Sequence, residues 1–314
     1  MRRQREGGFA LVAVLWILVL VGAIAGALLA DARAERRGAA NARATTQARW
    51  AARAGLARAL YQVDTTLTRS ATGFALGVDS TALPFVEFAV AGVAVRVVAL
   101  DARARVNLNL ADAAQLRRLL VALGVDSREG SSLANAVLDW RDPDQVRRPN
   151  GAEVGDYAAL RPPSRPKDAP FDRVDELATV LGMTPSIYHR AASHLTVAGD
   201  GRVNANSAPA PVLLTLPGMD AEAAAVVVSR RQRGPYRNVF ELVASLPREA
   251  RERIQADMGT FTDRVAFGPR EIEMVVTARA PGTPVGASLR ARVELSGGST
   301  WSVLQVNELS GGIE

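Results

Sequence analysis

The sequence predicts an α+β fold: a long N-terminal helix, its first part membrane-spanning, packed on a small antiparallel sheet, with a large all-helical insertion between the strands. Three observations predict it. Residues 9–30 carry no charge and run without a break into helix-forming sequence that reaches the mid-60s. Strand-like segments rich in β-branched residues occur at 85–100 and return only at 271–306, where apolar and polar residues alternate at period two. The sequence between them reads as helices. The division that follows is a leader at 1–8, a helix at 9–68, a sheet domain at 83–105 and 265–308, and an insertion at 106–262 with two related halves.

The first element rests on its flanks and its length. Arg2, Arg3 and Arg5 precede Gly7-Gly8, and the 22 residues of 9–30 suffice to cross a bilayer as a helix. Arginines on one flank place the N-terminus in the cytoplasm and deliver the remainder to the other side. A secretory signal has a shorter apolar region followed by a small-residue cleavage site. Here the run passes directly into residues 31–37 (Asp-Ala-Arg-Ala-Glu-Arg-Arg), then into an Ala-rich stretch with Trp50, Leu56, Leu60, Val63 and Leu67. Ala, Arg, Leu and Gln favour helix, and no proline occurs before Pro84. Gly22 and Gly26, four apart, permit close helix approach within the membrane.

Residues 85–90 and 93–100 are rich in β-branched side chains and are separated by Ala91-Gly92, which predicts a hairpin. Three more strands follow near the end, at 271–279, 288–295 and 300–306, with Gly297-Gly298 turning between the last two. The insertion holds an internal repeat. Residues 106–111 (Val-Asn-Leu-Asn-Leu-Ala) match 203–208 (Val-Asn-Ala-Asn-Ser-Ala), each opening a helical run. Residues 170–177 (Pro-Phe-Asp-Arg-Val-Asp-Glu-Leu) match 235–242 (Pro-Tyr-Arg-Asn-Val-Phe-Glu-Leu). Asn and Ser before a helix are expected to satisfy its free amides. The Phe/Tyr, Val and Leu positions fit a shared apolar face.

Composition narrows the function classes. At 314 residues and 48% apolar content the chain can hold one large core or two smaller ones. Lys167 is the sole lysine, so the net charge of +6 is arginine-borne, and it is dispersed without a run of like charges. With no cysteine, disulfides, thiolate nucleophiles and cysteine-held zinc are excluded.

A basic leader ending in glycine, an aromatic residue directly after it and an uninterrupted apolar helix resemble the type IV pilin and pseudopilin family. The resemblance implies cleavage between Gly8 and Phe9 by a prepilin peptidase, and methylation of the new amino group of Phe9. Cleavage removes Arg2, Arg3, Arg5 and Glu6, taking the formal charge from +6 to +4. A plain signal anchor is the other reading of these residues. Most pilin-like subunits carry glutamate at the fifth mature position, where it pairs with a neighbour's amine; here that position is Ala13. A carboxylate without a partner is expensive in hydrocarbon, so its loss suits a subunit with no neighbour above. The lack of this glutamate is similar to the K-type minor pseudopilins of type II secretion, and the resemblance extends over essentially the whole chain. Residues 138–144 (Leu-Asp-Trp-Arg-Asp-Pro-Asp), 151–153 (Gly-Ala-Glu) and Tyr157 carry its most specific internal match, supported by the Val-Asn-x-Asn openings.

That resemblance implies a non-catalytic subunit, held by its pilin-like helix in the inner membrane with its bulk in the periplasm. It would stand at the tip of the pseudopilus, helping to initiate and cap the fibre for export across the outer membrane. Implied partners are minor pseudopilins of the I and J types, with the H type a further candidate, the prepilin peptidase, the inner-membrane secretion platform and the membrane itself. No specific nucleic acid is implied.

Two segments offer chemistry. Asp139, Asp142 and Asp144 put three carboxylates within six residues, and Glu153 and Asp156 follow across a Pro/Gly-containing loop. Several oxygen ligands on a flexible loop suit calcium, although the spacing is not that of an EF-hand. The alternative is a solvated loop in which Asp139 caps a helix and Arg141, Arg147 and Arg148 balance the charge. The family resemblance implies structural calcium here. Residues 214–220 (Leu-Thr-Leu-Pro-Gly-Met-Asp) resemble a helix-hairpin-helix, which supports a rival reading as a membrane-anchored DNA-binding or uptake protein, with Arg230, Arg231 and Arg233 nearby. Asp220 replaces the second glycine of that motif and puts a carboxylate where phosphate would approach. Enzymatic readings lack support: His189 and His194 are the only histidines, expected on one helix, and the metalloprotease, nucleophile-elbow and phosphate-loop motifs are absent.

Overall fold

The computed structural model describes residues 7–69, 86–283, 285–296 and 300–309. Leader residues 1–6, Phe85 and the Gly297-Gly298 turn lie outside them. Helix α1 (Gly7–Arg69) is one uninterrupted α-helix of 63 residues. Its C-terminal part buries Ala44, Ala48, Ala51, Ala52, Leu56, Ala59 and Leu60, a stripe at three- and four-residue spacing. Gly55 lies in this stripe, and a Cβ there would stand 2.5 Å from Val95 Cγ1 and 3.1 Å from Val276 Cγ1. Small residues thus let the helix backbone approach the sheet closely. From Val12 to Arg43 nearly every residue is exposed, so this part of α1 projects away from the rest of the chain.

The sheet comprises β1 (Val86–Val90), β2 (Val93–Asp101), β7 (Glu271–Arg279), β8 (Gly286–Ser296) and β9 (Thr300–Leu309), antiparallel and adjacent in that order. Ala91 and Gly92 both take positive φ, as a tight hairpin between β1 and β2 demands. Alternate residues face α1: Val93, Val95, Val97 and Ala99 from β2, Ile272, Met274, Val276 and Ala278 from β7, Leu289, Ala291 and Val293 from β8. Asp101 at the end of β2 pairs with Ile272 at the start of β7. Both connections to the insertion therefore leave from one end of two neighbouring strands.

The insertion contains two halves of like construction. The first runs through a 3-10 turn (Ala102–Ala104), β3 (Val106–Asn107), α2 (Ala113–Ala122), α3 (Ser127–Arg141), α4 (Val154–Ala158), a second 3-10 turn (Val174–Thr179), α5 (Pro185–Ala192) and β4 (Leu195–Thr196). The second has β5 (Val203–Asn204), α6 (Ala210–Leu213), α7 (Ala221–Arg231), α8 (Val239–Ser245), α9 (Arg248–Ala256), α10 (Met258–Arg264) and β6 (Val265–Ala266). β3 pairs with β4 and β5 with β6, each in parallel, so the helical body is closed by two short bridges. The repeated asparagines do not cap helices. Asn109 exchanges side-chain hydrogen bonds with the backbone of Phe171 at 2.8 and 2.9 Å, and Asn206 does the same with Tyr236. In the first half Arg141 donates to the carbonyls of Leu108 and Ala111; in the second Arg231 donates to those of Ala205 and Ala208. The repeat read from sequence is thus a repeat of hydrogen-bond wiring: each asparagine locks a loop, which needs a residue that both donates and accepts.

The two bodies meet at a buried carboxylate. Asp101 accepts from the Arg103 N–H at 2.9 Å, Asn204 Nδ2 at 2.7 Å and Ser207 Oγ at 2.6 Å. Burial pushes its pKa up, against those three donors. His189 lies on α5, but that helix ends at Ala192, so His194 stands beyond it as its Nδ1 meets the Arg190 carbonyl.

Candidate functional site

The acidic segment begins where α3 ends. Trp140, in its last turn, stacks on Phe171 with ring centroids 6.3 Å apart and meets Tyr157 at 5.5 Å, which ties both ends of the loop to one apolar floor. The Tyr157 hydroxyl accepts from the Leu181 N–H at 2.9 Å. Burial, reinforced by the nearby carboxylates of Asp139 and Glu153, pushes its pKa up to about 12.

Asp139 is fully buried and serves the loop's own structure. It accepts from the Ala152 N–H at 3.0 Å and from Arg148 Nη1 at 2.7 Å. Gly151 is required beside it, because a Cβ there would collide with Asp139 Oδ2. Arg148 also contacts Asp142, and these carboxylates hold its pKa above the usual arginine range. Asp156 accepts from the Glu153 N–H at 3.0 Å and pairs with Arg147 at 3.1 Å, closing the first turn of α4. Arg141 makes no such pairing; it turns to the carbonyls of Leu108 and Ala111.

Asp142, Asp144 and Glu153 converge, each offering a carboxylate oxygen within 4.8 Å of the others. Glu153 is only 6% exposed, yet neither of its carboxylate oxygens has a hydrogen-bond donor among the described residues. Asp142 Oδ1 is likewise buried and unpartnered. Burial raises the Glu153 pKa, and the charges of Asp139, Asp142, Asp168 and Asp144 raise it further. Asp168 was not in the group picked from sequence. Its Oδ1 is also buried without a donor, and its N–H bonds the Trp140 carbonyl at 3.0 Å. Spacing could not reveal it, because it arrives from the far end of the loop through a left-handed backbone at φ 53°. Buried carboxylate oxygens facing one another are costly unless a cation compensates them. An all-oxygen donor set with exposed Asp144 at its mouth fits a hard divalent ion.

The hairpin at 214–220 is a capped turn. Gly218 takes φ 76°, and Asp220 Oδ1 accepts from the Ala223 N–H at 2.9 Å while Oδ2 pairs with Arg253. The Ala223 donor, aided by Arg253, holds the Asp220 carboxyl below its ordinary range. The same device recurs at Gly124 with Asp126 before α3, and at Gly182 with Thr184 before α5. Arg230 bonds Glu241 and the Gly234 carbonyl, and Arg231 is buried against Ala205 and Ala208. Two of the arginines that a phosphate would need are therefore engaged inside the fold.

Comparison with known proteins agrees with this architecture. Two family models, both described as type II secretion system protein K, match residues 96–200 and 203–261, together just over half of the chain. The boundary between them falls between the two halves of the insertion. Type II secretion system protein K of Pectobacterium carotovorum subsp. carotovorum is 30% identical over 210 residues, 60% of this chain and 62% of that protein. The corresponding Klebsiella pneumoniae protein is 29% identical over 218 residues, 65% of this chain and 66% of that protein. The chain thus spans just under two thirds of these relatives' lengths. Among solved structures, a chain of the GspK-GspI-GspJ complex from enterotoxigenic Escherichia coli superposes with a TM-score of 0.67 at 15% identity, covering 90% of this chain and 100% of that one. With a helix laid on a split sheet, a duplicated helical insertion, and both halves of that insertion matched, the chain belongs to the type II secretion system protein K family.

Proposed function

We propose that this chain is a minor pseudopilin that works without catalysis at the tip of a periplasmic pseudopilus, helping to start and end the fibre for export across the outer membrane. The observation that carries the reading is α1. Its C-terminal part is fixed to the sheet, while residues 12–43 stand free and begin with an apolar run of membrane-spanning length. A helix so divided can sit in the inner membrane and then join a bundle of like helices. Ala13 spares the subunit a carboxylate that a neighbour above would have to satisfy. The insertion hangs from one end of β2 and β7, a bulk that would obstruct a further subunit. The relative of known structure was solved with GspI and GspJ, and subunits of these two types are the partners inferred for this chain.

Processing between Gly8 and Phe9, with methylation of Phe9, belongs to the same proposal, as do the prepilin peptidase and the inner-membrane platform as partners. Calcium is proposed at the acidic loop, held by Asp142, Asp144 and Glu153 with Asp168 beside them; Asp139 and Asp156 shape the loop around it. The ion would supply the charge that compensates Glu153 and would fix the loop against α3. Full-length protein extracted from membranes should co-purify with I- and J-type pseudopilins. Failure to retain either, with both partners folded and present, would refute the assembly role.

A further inference from the structure

Just past the apolar run, α1 carries its charges on separate faces. Arg33, Arg36 and Arg37 are exposed, as are Asp31 and Glu35. At about 100° per residue, Arg36 and Arg37 lie about 60° and 40° to either side of Arg33. Asp31 and Glu35 lie about 160° and 200° from it, on the opposite face. No acid in this stretch stands three or four residues from an arginine, so the helix cannot neutralise itself. Arg33 and Arg37 are instead like-charged neighbours at i,i+4, as are Asp31 and Glu35, and both pairs oppose the helix unless a partner compensates them.

Depth identifies the partner. The headgroup layer adds about 5–8 Å to each side of the hydrocarbon core. At about 1.5 Å per residue, Arg33 stands about 5 Å beyond Ala30, and Arg36 and Arg37 about 9–10 Å beyond it. Helical side chains lean towards the helix N-terminus, so all three guanidinium groups reach back towards the bilayer. Arginine binds phosphate through paired donors and snorkels readily. We infer that Arg33, Arg36 and Arg37 form a binding face for the phosphate groups of anionic phospholipids, and that Asp31 and Glu35 leave the opposite face of α1 without affinity for them. Continuity with the apolar run and charge complementarity select this occupant; an acidic neighbouring protein is the competing one.

The inference rests on the membrane-anchored reading, and the test separates the two. The mature chain beginning at Phe9, which lacks Arg2, Arg3 and Arg5, is reconstituted in phosphatidylcholine vesicles with and without phosphatidylglycerol, and spin-labelled forms of both lipids report their association with the protein. Phosphatidylglycerol should be preferred by at least about fivefold, the factor one arginine supplies near an anionic surface, and the preference should shrink as salt rises. Arg33→Gln, Arg36→Gln and Arg37→Gln together should bring the ratio near one, whereas Asp31→Asn with Glu35→Gln should keep or raise it. A ratio near one in the unaltered chain, or one unchanged in the triple variant, overturns the inference. It is also overturned if the triple variant loses a pseudopilin partner while its lipid preference persists. Release of the unaltered chain from membranes by alkaline extraction would instead defeat the anchoring itself.

Discussion

Glu153→Gln should reverse its effect on stability according to whether calcium is present. In chelator, Glu153 is a buried carboxylate with no donor for either oxygen among the described residues, pressed by Asp139, Asp142, Asp168 and Asp144. Glutamine keeps the volume and removes the charge. An unsatisfied buried polar group costs about 1–3 kcal/mol, more when charged, so relief of the charged part should stabilise the metal-free protein by about 1–2 kcal/mol. Calcium at about a hundred times its Kd should stabilise the parent by about 2.7 kcal/mol. For a chain of this size that corresponds to a rise in Tm of about 5–10 °C. The variant loses one of three converging carboxylates and with it most of that rise. The order of melting temperatures therefore inverts: variant above parent in chelator, parent above variant in calcium. The pH dependence gives a second reading. Because the folded pKa of Glu153 is raised, its protonated form favours the fold. That contribution is fully present below the ordinary value of 4.5 and is lost as pH rises through the raised folded value. The parent in chelator should lose stability across that window, and the variant should show a flatter profile. Differential scanning calorimetry of a soluble fragment beginning near Arg43 measures both. A variant that melts below the parent in chelator, or that gains as much from calcium, would refute the reasoning.

Other outcomes follow from packing and chemistry. Gly55→Val should lower stability by about 2–3 kcal/mol through overpacking against Val95 and Val276, measurable by denaturant unfolding of the same fragment. Asn206→Ala strips partners from the Tyr236 N–H and from the Tyr236 and Phe267 carbonyls, and should cost at least about 2 kcal/mol; Asn109→Ala should act similarly at Phe171. Mass analysis should find a mature chain beginning at Phe9, and Gly8→Ala should leave it uncut in cells with active prepilin peptidase. Duplex DNA should bind only in the non-specific range of ~10⁻⁴ to 10⁻⁶ M and fade with salt; sub-micromolar binding at physiological salt would revive the nucleic-acid reading.

Periodicity made the large elements legible. The alternation at 271–279 coincides with β7, because a strand with one face on α1 must alternate. The Ala-rich stripe announced α1 because nothing in it breaks a helix. The paired asparagines were visible as a repeat, but their role was not, since a side chain that locks a distant loop looks in sequence like one that caps the next helix. The acidic loop was legible as a concentration of carboxylates. Their division of labour was not: Asp139 is drawn into the core of α3 by Arg148 and Ala152, while Asp168 joins from 24 residues beyond Asp144. Those differences depend on how the chain returns, which local spacing does not encode.

The two halves of the insertion differ most in the length of one connection. Between Arg141 and Phe171 lie residues 142–170; between the equivalent Arg231 and Tyr236 lie only residues 232–235. Both connections join the same pair of anchors, so the fold tolerates either length at that place. The carboxylate-bearing loop is then an elaboration of the first half, tied into its core by buried Tyr157 and Ala152, and the second half is an internal control that manages without one. A peptide tag or fluorophore-bearing loop placed between residues 232 and 235 would enter a position where the scaffold already accommodates a long excursion. A short link borrowed from the second half could close the first only with the space left by Tyr157 refilled and buried Asp139, then without Arg148 and Ala152, replaced by an apolar residue.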